Sequence, residues 1–239
     1  KLNTEFDLFR FKTFRNVALR LFHYYSPLVS QPEPIGQLEG KWISQAFSGG
    51  LMYADKGYKG YGVEYDINAM YPTYMRSYNF LFSMCKGEFE KLDEMPERPR
   101  TGIYYCNIQK GHPFFRYNRN NKYYHYDIVS ANMLGLNVEL VTDCEYNFLC
   151  YERKKLIRGH DAFSKFFDKC EELKTDNKAV KKYIKTISRC LWGSLCERNR
   201  RDMNIKNLKE EQDIGEHTDI THCLPTENGM KISTENMRK

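Results

Sequence analysis

Two amphipathic helical patterns, joined by the short break Lys174-Thr175-Asp176-Asn177, constrain this chain more than any other feature. In the first, Phe163, Phe166, Phe167 and Cys170 recur at helical spacing behind Asp161, a side chain suited to an N-cap. They predict a helix over residues 161–173. In the second, Val180, Ile184, Ile187, Leu191 and Leu195 form an apolar stripe that predicts a long helix over residues 178–197. A break this short permits an antiparallel helical hairpin, and each helix then has an apolar face to bury.

Upstream the period shifts from helical to alternating. Residues 102–108, 122–128, 136–141 and 147–151 read as short strands, with breaks at Gly111-His112-Pro113 and at 116–121. Residues 130–134 read as one helical turn closed by Gly135. Earlier still, Phe14, Val17, Ala18, Leu21 and Phe22 predict a helix over 14–25, and residues 38–46 a second, with Pro27, Pro32 and Pro34 marking a linker between them. Helices segregated from a run of short strands indicate an α+β fold. The 239 residues suffice for one large domain or two small ones.

Composition narrows the function classes. The formal net charge is +6, and aromatics make up 15% of the chain, many beside Lys or Arg, which suits both core packing and stacking on a polyanion's bases. No apolar run is long enough to span a membrane. The eight cysteines include no Cys-x-x-Cys; Cys144/Cys150 and Cys190/Cys196 share a spacing that matches no usual zinc pattern, and His217, His222 and Cys223 are too few for one. Reduced thiols and an intracellular setting are therefore expected. The chain opens on Lys1 rather than Met, so a piece of a longer protein is one expectation, beside a split gene product and a decayed copy.

Chemistry concentrates in two stretches. Residues 51–54 and 61–65 read as a hairpin joined by a Lys/Gly-rich turn, and 61–65 as a buried strand that ends by presenting Asp66. Pro72 then suits the first turn of a helix, where its missing N–H costs nothing. A carboxylate delivered to a helix start makes a cation or phosphate site; the plainer reading is an Asp that caps the helix. In the second stretch, Lys181, Lys185 and Arg189 fall at i, i+4 and i+8, so one helix face carries three positive charges a turn apart, beside Lys178 and Lys182. Such a column matches a triphosphate, whose charge must be offset as its bond to the α-phosphorus breaks. A solvated helix face is the plainer alternative. Arg116, Arg119 and Lys122 are further candidates for contact with a nucleic-acid backbone.

These stretches carry a resemblance. Asp66-Ile67-Asn68-Ala69-Met70-Tyr71-Pro72 resembles motif A of family B DNA polymerases, Asp-x-x-Ser-Leu-Tyr-Pro, with Ala69 and Met70 in place of Ser and Leu. Lys185-x-x-x-Arg189-x-x-Trp192-Gly193 resembles motif B, Lys-x-x-x-Asn-Ser-x-Tyr-Gly, with Arg189 for Asn and Trp192 for Tyr. Phe47-Ser48-Gly49-Gly50 is similar to the Tyr-x-Gly-Gly element of the protein-primed branch, which touches the template strand. The resemblance spans residues 40–199.

It implies a partial polymerase palm, an antiparallel sheet with helices, followed by a fingers hairpin. The divisions expected are lead-in helices over 1–46, a palm portion with an inserted β region over 47–158, fingers over 159–199 and a polar tail of loops and strands over 200–239. It further implies that Asp66, with the Ile67 carbonyl, ligates magnesium (two ions in a complete enzyme), that Tyr71 excludes ribonucleotides, and that Lys174, Lys181 and Lys185 hold the triphosphate. Arg189 would flank that pocket, Trp192 and Gly193 would line the nascent base pair, and Phe47, Gly49 and Gly50 would meet DNA. The implied partners are primer–template DNA, deoxynucleoside triphosphates and a terminal protein primer. Motif C, Tyr-x-Asp-Thr-Asp, which supplies the second carboxylate, does not occur; Thr218-Asp219-Ile220 is the nearest match. The expected function is thus a segment of a DNA-directed DNA polymerase, inactive alone, that belongs to a two-metal nucleotidyl transferase. The alternatives are a non-catalytic nucleic-acid-binding protein built on the same fold, and a globular protein with no nucleic-acid role.

Overall fold

The computed structural model describes residues 13–29, 33–195, 199–205, 219–226 and 229–236, the last three segments by their backbone alone. In chain order the helices are α1 (Phe14–Tyr25), α2 (Gln37–Ala46), α3 (Met70–Met75), α4 (His125–Met133), α5 (Gly159–Glu172) and α6 (Lys178–Leu195). The strands are β1 (Leu81–Ser83), β2 (Glu88–Glu90), β3 (Gly102–Ile108), β4 (Lys122–Tyr124), β5 (Val138–Leu140), β6 (Phe148–Cys150), β7 (Leu156–Arg158), β8 (Asn199–Ile205), β9 (Asp219–Thr226) and β10 (Gly229–Asn236). Helices and antiparallel sheets together make an α+β fold. The chain divides into two compact units: the described parts of Lys1–Gln31, Tyr71–Phe80 and Gly159–Lys239, and those of Pro32–Met70 and Leu81–Arg158.

The second unit is built around β3. Both edges of β3 are paired: β6 and β4 flank its first half, β5 its second half, and β2 extends the sheet beyond β6. Its side chains alternate. Tyr104, Cys106 and Ile108 face a core completed by Phe115, Tyr123, Phe148 and, from α4, Ile128 and Ala131. Ile103, on the opposite face, packs with Leu149 and with Trp42 and Ala46 of α2. A strand covered on both faces reads as a nearly continuous apolar run, which is why Gly102–Ile108 is unmistakable in the sequence. Asn147, fully buried, ties the sheet to its flanking loop. Its Oδ1 accepts from the Leu92 N–H at 2.7 Å, while Nδ2 donates to the carbonyls of Leu92 and Val141 at 2.8 and 3.1 Å.

Three sequence expectations fail in this unit. Residues 51–54 and 61–65 form no hairpin and no buried strand: no strand lies there, and Tyr61 and Tyr65 are almost fully exposed. An apolar run becomes a strand only where a neighbour takes its ladder hydrogen bonds, and no described strand pairs with it. Residues 122–128 are a strand only as far as Tyr124. There the Asp127 carboxylate accepts from the Tyr124 N–H at 2.9 Å and starts α4, which absorbs the helical turn expected over 130–134. Lys122 leaves the list of candidate DNA contacts, because it is buried with Nζ 3.5 Å from the Trp42 ring centroid and 3.2 Å from that of Tyr105. Arg116 pairs with Asp127 at 3.9 Å.

In the first unit the expected hairpin forms as α5 and α6, and α1 packs across both. Val17, Ala18, Leu21 and Phe22 of α1 are buried, with Phe22 stacked on Phe163 (5.1 Å between centroids) and edge-on to Phe166 (6.0 Å). Fully burying each such side chain contributes about 1.5–3 kcal/mol, more than a short helix's own propensity supplies. Thr13 caps α1 through its side-chain oxygen, which accepts from the Asn16 N–H. On α6 the buried members of the predicted stripe are Ile184, Ile187 and Leu191, while Val180 and Leu195 stay exposed. The tail supplies a three-stranded antiparallel sheet in the order β8-β10-β9. Residues 1–12, residues 196–197 of the expected long helix, Thr218 of the motif C candidate and His217 lie outside the described residues.

Candidate functional site

The first unit brings two distant motifs onto one patch. α3 starts after Ala69, a non-glycine residue held at φ 50°. Pro72 sits in its first turn, as its missing N–H favours. The helix buries Met75 and leaves Tyr71 about half exposed. Its far end is stitched to the start of α5. The Gly159 N–H donates to the Phe80 carbonyl at 2.7 Å, and the His160 N–H to the Ser77 carbonyl at 3.2 Å. Gly159 has to be glycine here, since a Cβ would lie 2.1 Å from the Met75 carbonyl oxygen. Around this seam Tyr78 stacks on His160 (4.1 Å between centroids), and Arg76 pairs with Asp168 at 3.3 Å. None of these joining residues belongs to either motif; the signal that could have found Gly159 is a lone glycine where a strand hands over to a helix.

With α3 so placed, the Tyr71 ring stacks on Trp192 of α6, 5.7 Å between centroids and 25° from parallel. Both residues stay partly exposed. Gly193, next to Trp192, is exposed, and nothing lies within 4 Å of where its side chain would start. Earlier on the same helix Lys181, Lys185 and Arg189 are all exposed, and none forms an ion pair among the described residues. Asn177 caps the start of α6, its Oδ1 accepting from the N–H groups of Ala179 and Val180 at 2.9 and 3.3 Å. Lys174, by contrast, gives its ammonium to Glu171 one turn back, so it is not free for an anion in this state. The patch therefore offers two aromatic rings and three cations at helical spacing that no described acid pairs. Chemically, that can hold a planar base and a polyphosphate.

The remaining predicted residues lie in the second unit. Asp66 and Ile67 are exposed on a segment with no regular structure. No group of three His, Cys, Asp or Glu side chains with metal-binding geometry occurs among the described residues. Phe47, Gly49 and Gly50 follow the end of α2. Phe47 is exposed, and no atom lies within 4 Å of a Cβ position at either glycine, so a foreign backbone can approach them closely. The end of α2 is itself pinned, because the side-chain amides of Asn118 and Asn120 both donate to the Gln45 carbonyl, at 2.8 and 3.2 Å. No helix among the described residues is long and apolar enough to cross a membrane.

No protein-family profile matches the chain, and no solved structure matches it. Curated relatives do. The chain is 27% identical over 194 residues to the DNA polymerase of Bacillus phage B103, and 26% identical over 194 residues to the DNA polymerases of Bacillus phages Nf and M2. Each alignment takes in 73% of this chain and 34% of the relative, so the chain spans about a third of the length of the polymerases it resembles.

Proposed function

We propose that this chain is a segment of a DNA-directed DNA polymerase of the protein-primed branch of family B, and that the face shared by α3 and α6 receives the incoming deoxynucleoside triphosphate. The stacking of Tyr71 on Trp192 carries this reading. Two residues from separate polymerase-like motifs, far apart in sequence, share one patch beside cations that no described acid pairs. The likeness to three phage DNA polymerases supports the same class.

In this reading Lys181 and Lys185 neutralise the triphosphate, and Arg189 extends their column. Lys174 joins them by exchanging Glu171 for a phosphate. Trp192 offers its free face to the nascent base pair, with Gly193 leaving room beside it. Tyr71 closes the sugar side, where a 2′-hydroxyl would meet its ring. Holding the triphosphate with fixed cations contributes chiefly by positioning and charge neutralisation. Magnesium, in enzymes of this class, activates the primer 3′-hydroxyl and steadies the leaving pyrophosphate. Asp66 with the Ile67 carbonyl supplies one arm of such a site. Two ions need a second carboxylate, which the described residues do not place in a ligand cluster with Asp66. Primer–template DNA, reached through Phe47, Gly49 and Gly50, and a terminal protein primer are the partners of the whole enzyme.

Equilibrium dialysis of the chain against labelled dCTP with magnesium tests the proposal. Saturable binding is expected, weakened about tenfold by Lys185→Ala, the loss of one charge-assisted contact. Lys165→Ala, on the exposed side of α5, should leave it unchanged. Binding indifferent to Lys185 contradicts the assignment, and DNA binding without any dCTP binding favours a non-catalytic nucleic-acid-binding protein.

A further inference from the structure

The second unit carries an aromatic surface that the proposed nucleotide site does not use. Phe114 and Tyr53 are each more than 60% exposed (62% and 68%), yet their rings lie together, 6.2 Å between centroids. Phe114 is not on a loose loop. Its N–H donates to His112 Nδ1 at 3.2 Å, and the His112 N–H donates to the Tyr117 hydroxyl at 2.9 Å. That hydroxyl in turn donates to the Gln109 carbonyl. Its neighbour Phe115 is anchored in the core. Farther along, Asn118 and Asn120 fasten the loop to the end of α2 through the Gln45 carbonyl. A buried anchor on one side and amide clamps on the other hold the Phe114 ring out in water, at the full cost of its exposed apolar surface.

Charge narrows what covers it. Residues 109–122 contain Lys110, Arg116, Arg119 and Lys122 and no acid. Arg116 is paired and Lys122 buried, which leaves Lys110 and Arg119 exposed on the loop. A rigid, exposed aromatic pair on an acid-free basic loop fits a polyanion with free planar faces. Duplex DNA hides those faces by stacking; a single strand presents them.

We propose that loop 110–121 and the segment after α2 form a contact for single-stranded DNA, in which a base stacks on the Tyr53–Phe114 pair and the adjoining phosphates meet Arg119 and Lys110. The inference takes DNA as the polymer from the polymerase reading. It adds Tyr53, Phe114, Lys110 and Arg119, none of which carries a motif or belongs to the nucleotide patch. Because the loop is already fixed by Asn118 and Asn120, little order has to be imposed on binding.

Anisotropy of a fluorescein-labelled oligo-dT with the full chain tests it. Phe114→Ala should weaken binding about tenfold, the loss of one stacked base, and Phe114→Trp should restore it. Arg119→Ala should reduce the slope of log affinity against log salt by about 0.7, one phosphate contact to a single strand. Both side chains are exposed, so an unchanged thermal midpoint checks that each variant is folded. Affinity unchanged in both Phe114→Ala and Tyr53→Ala overturns the proposal, as does duplex binding with the same dependence on Phe114 or no oligonucleotide binding at low salt. Binding of dCTP is read separately, in the other unit: its loss with oligo-dT binding intact tells against the polymerase reading alone.

Discussion

Lys122 shows how far a side chain's surroundings can override its type. Lysine in a loop of cations reads as solvent-facing, yet its Nζ lies against the rings of Trp42 and Tyr105. Burial pushes its pKa down to about 8 from the usual 10.5, against a weak opposing pull from the thiols of Cys144 and Cys106. Contact with two rings offsets part of the cost of the buried charge, on the order of 2 kcal/mol in a desolvated setting. Below about pH 8 the folded chain bears the full penalty of that charge. As pH rises toward 10.5 the unfolded chain holds a proton that the folded chain has shed, so the penalty is relieved. Relative to Lys122→Met, the wild type should therefore gain stability across this window, read as a thermal midpoint difference (wild type minus variant) that rises with pH. A difference that stays flat would mean that Lys122 titrates as it does in water. Nothing in the sequence marks this residue, since its partners come from α2 and β3. Asp66, Tyr71, Lys185 and Trp192 are candidates there because they fall at motif positions, and Lys181 because it lies one turn before Lys185, not because of their surroundings.

At the scale of elements, legibility follows how locally each element is determined. The hairpin α5–α6 and the helix α1 show in the apolar period alone, and β3 shows because both of its faces are buried. What the period cannot give is a partner. Tyr61, Val63, Tyr65 and Ile67 alternate as a strand should, yet all four are exposed and no described strand pairs with them. Residues 125–128 continue an aromatic, β-branched run, but Asp127 reaches back to the Tyr124 N–H and turns the chain into α4. A carboxylate three residues after a strand end was the available signal. The seam between α3 and α5 is likewise set by one close approach. Gly159→Ala pushes a methyl into the Met75 carbonyl and should destabilise the first unit by about 1–3 kcal/mol, measured by urea unfolding. An unaltered midpoint would mean that α3 does not depend on this contact.

For the whole molecule, the durable outcomes are the α+β class and the division into two compact units. Motif spacing singled out the candidate residues, but the meeting of Tyr71 with Trp192 depends on how α3 is held against α5, which no local pattern encodes. The chain covers about a third of the length of its phage relatives, so the proposed nucleotide recognition is tested by binding to this chain rather than by catalysis. The most direct measurement compares the affinities of dCTP and CTP, by equilibrium dialysis, for the wild type and for Tyr71→Ala. The account predicts tighter binding of dCTP by the wild type, and a gap that closes in Tyr71→Ala because CTP gains affinity. Equal binding of the two nucleotides by the wild type, unchanged in the variant, would contradict it.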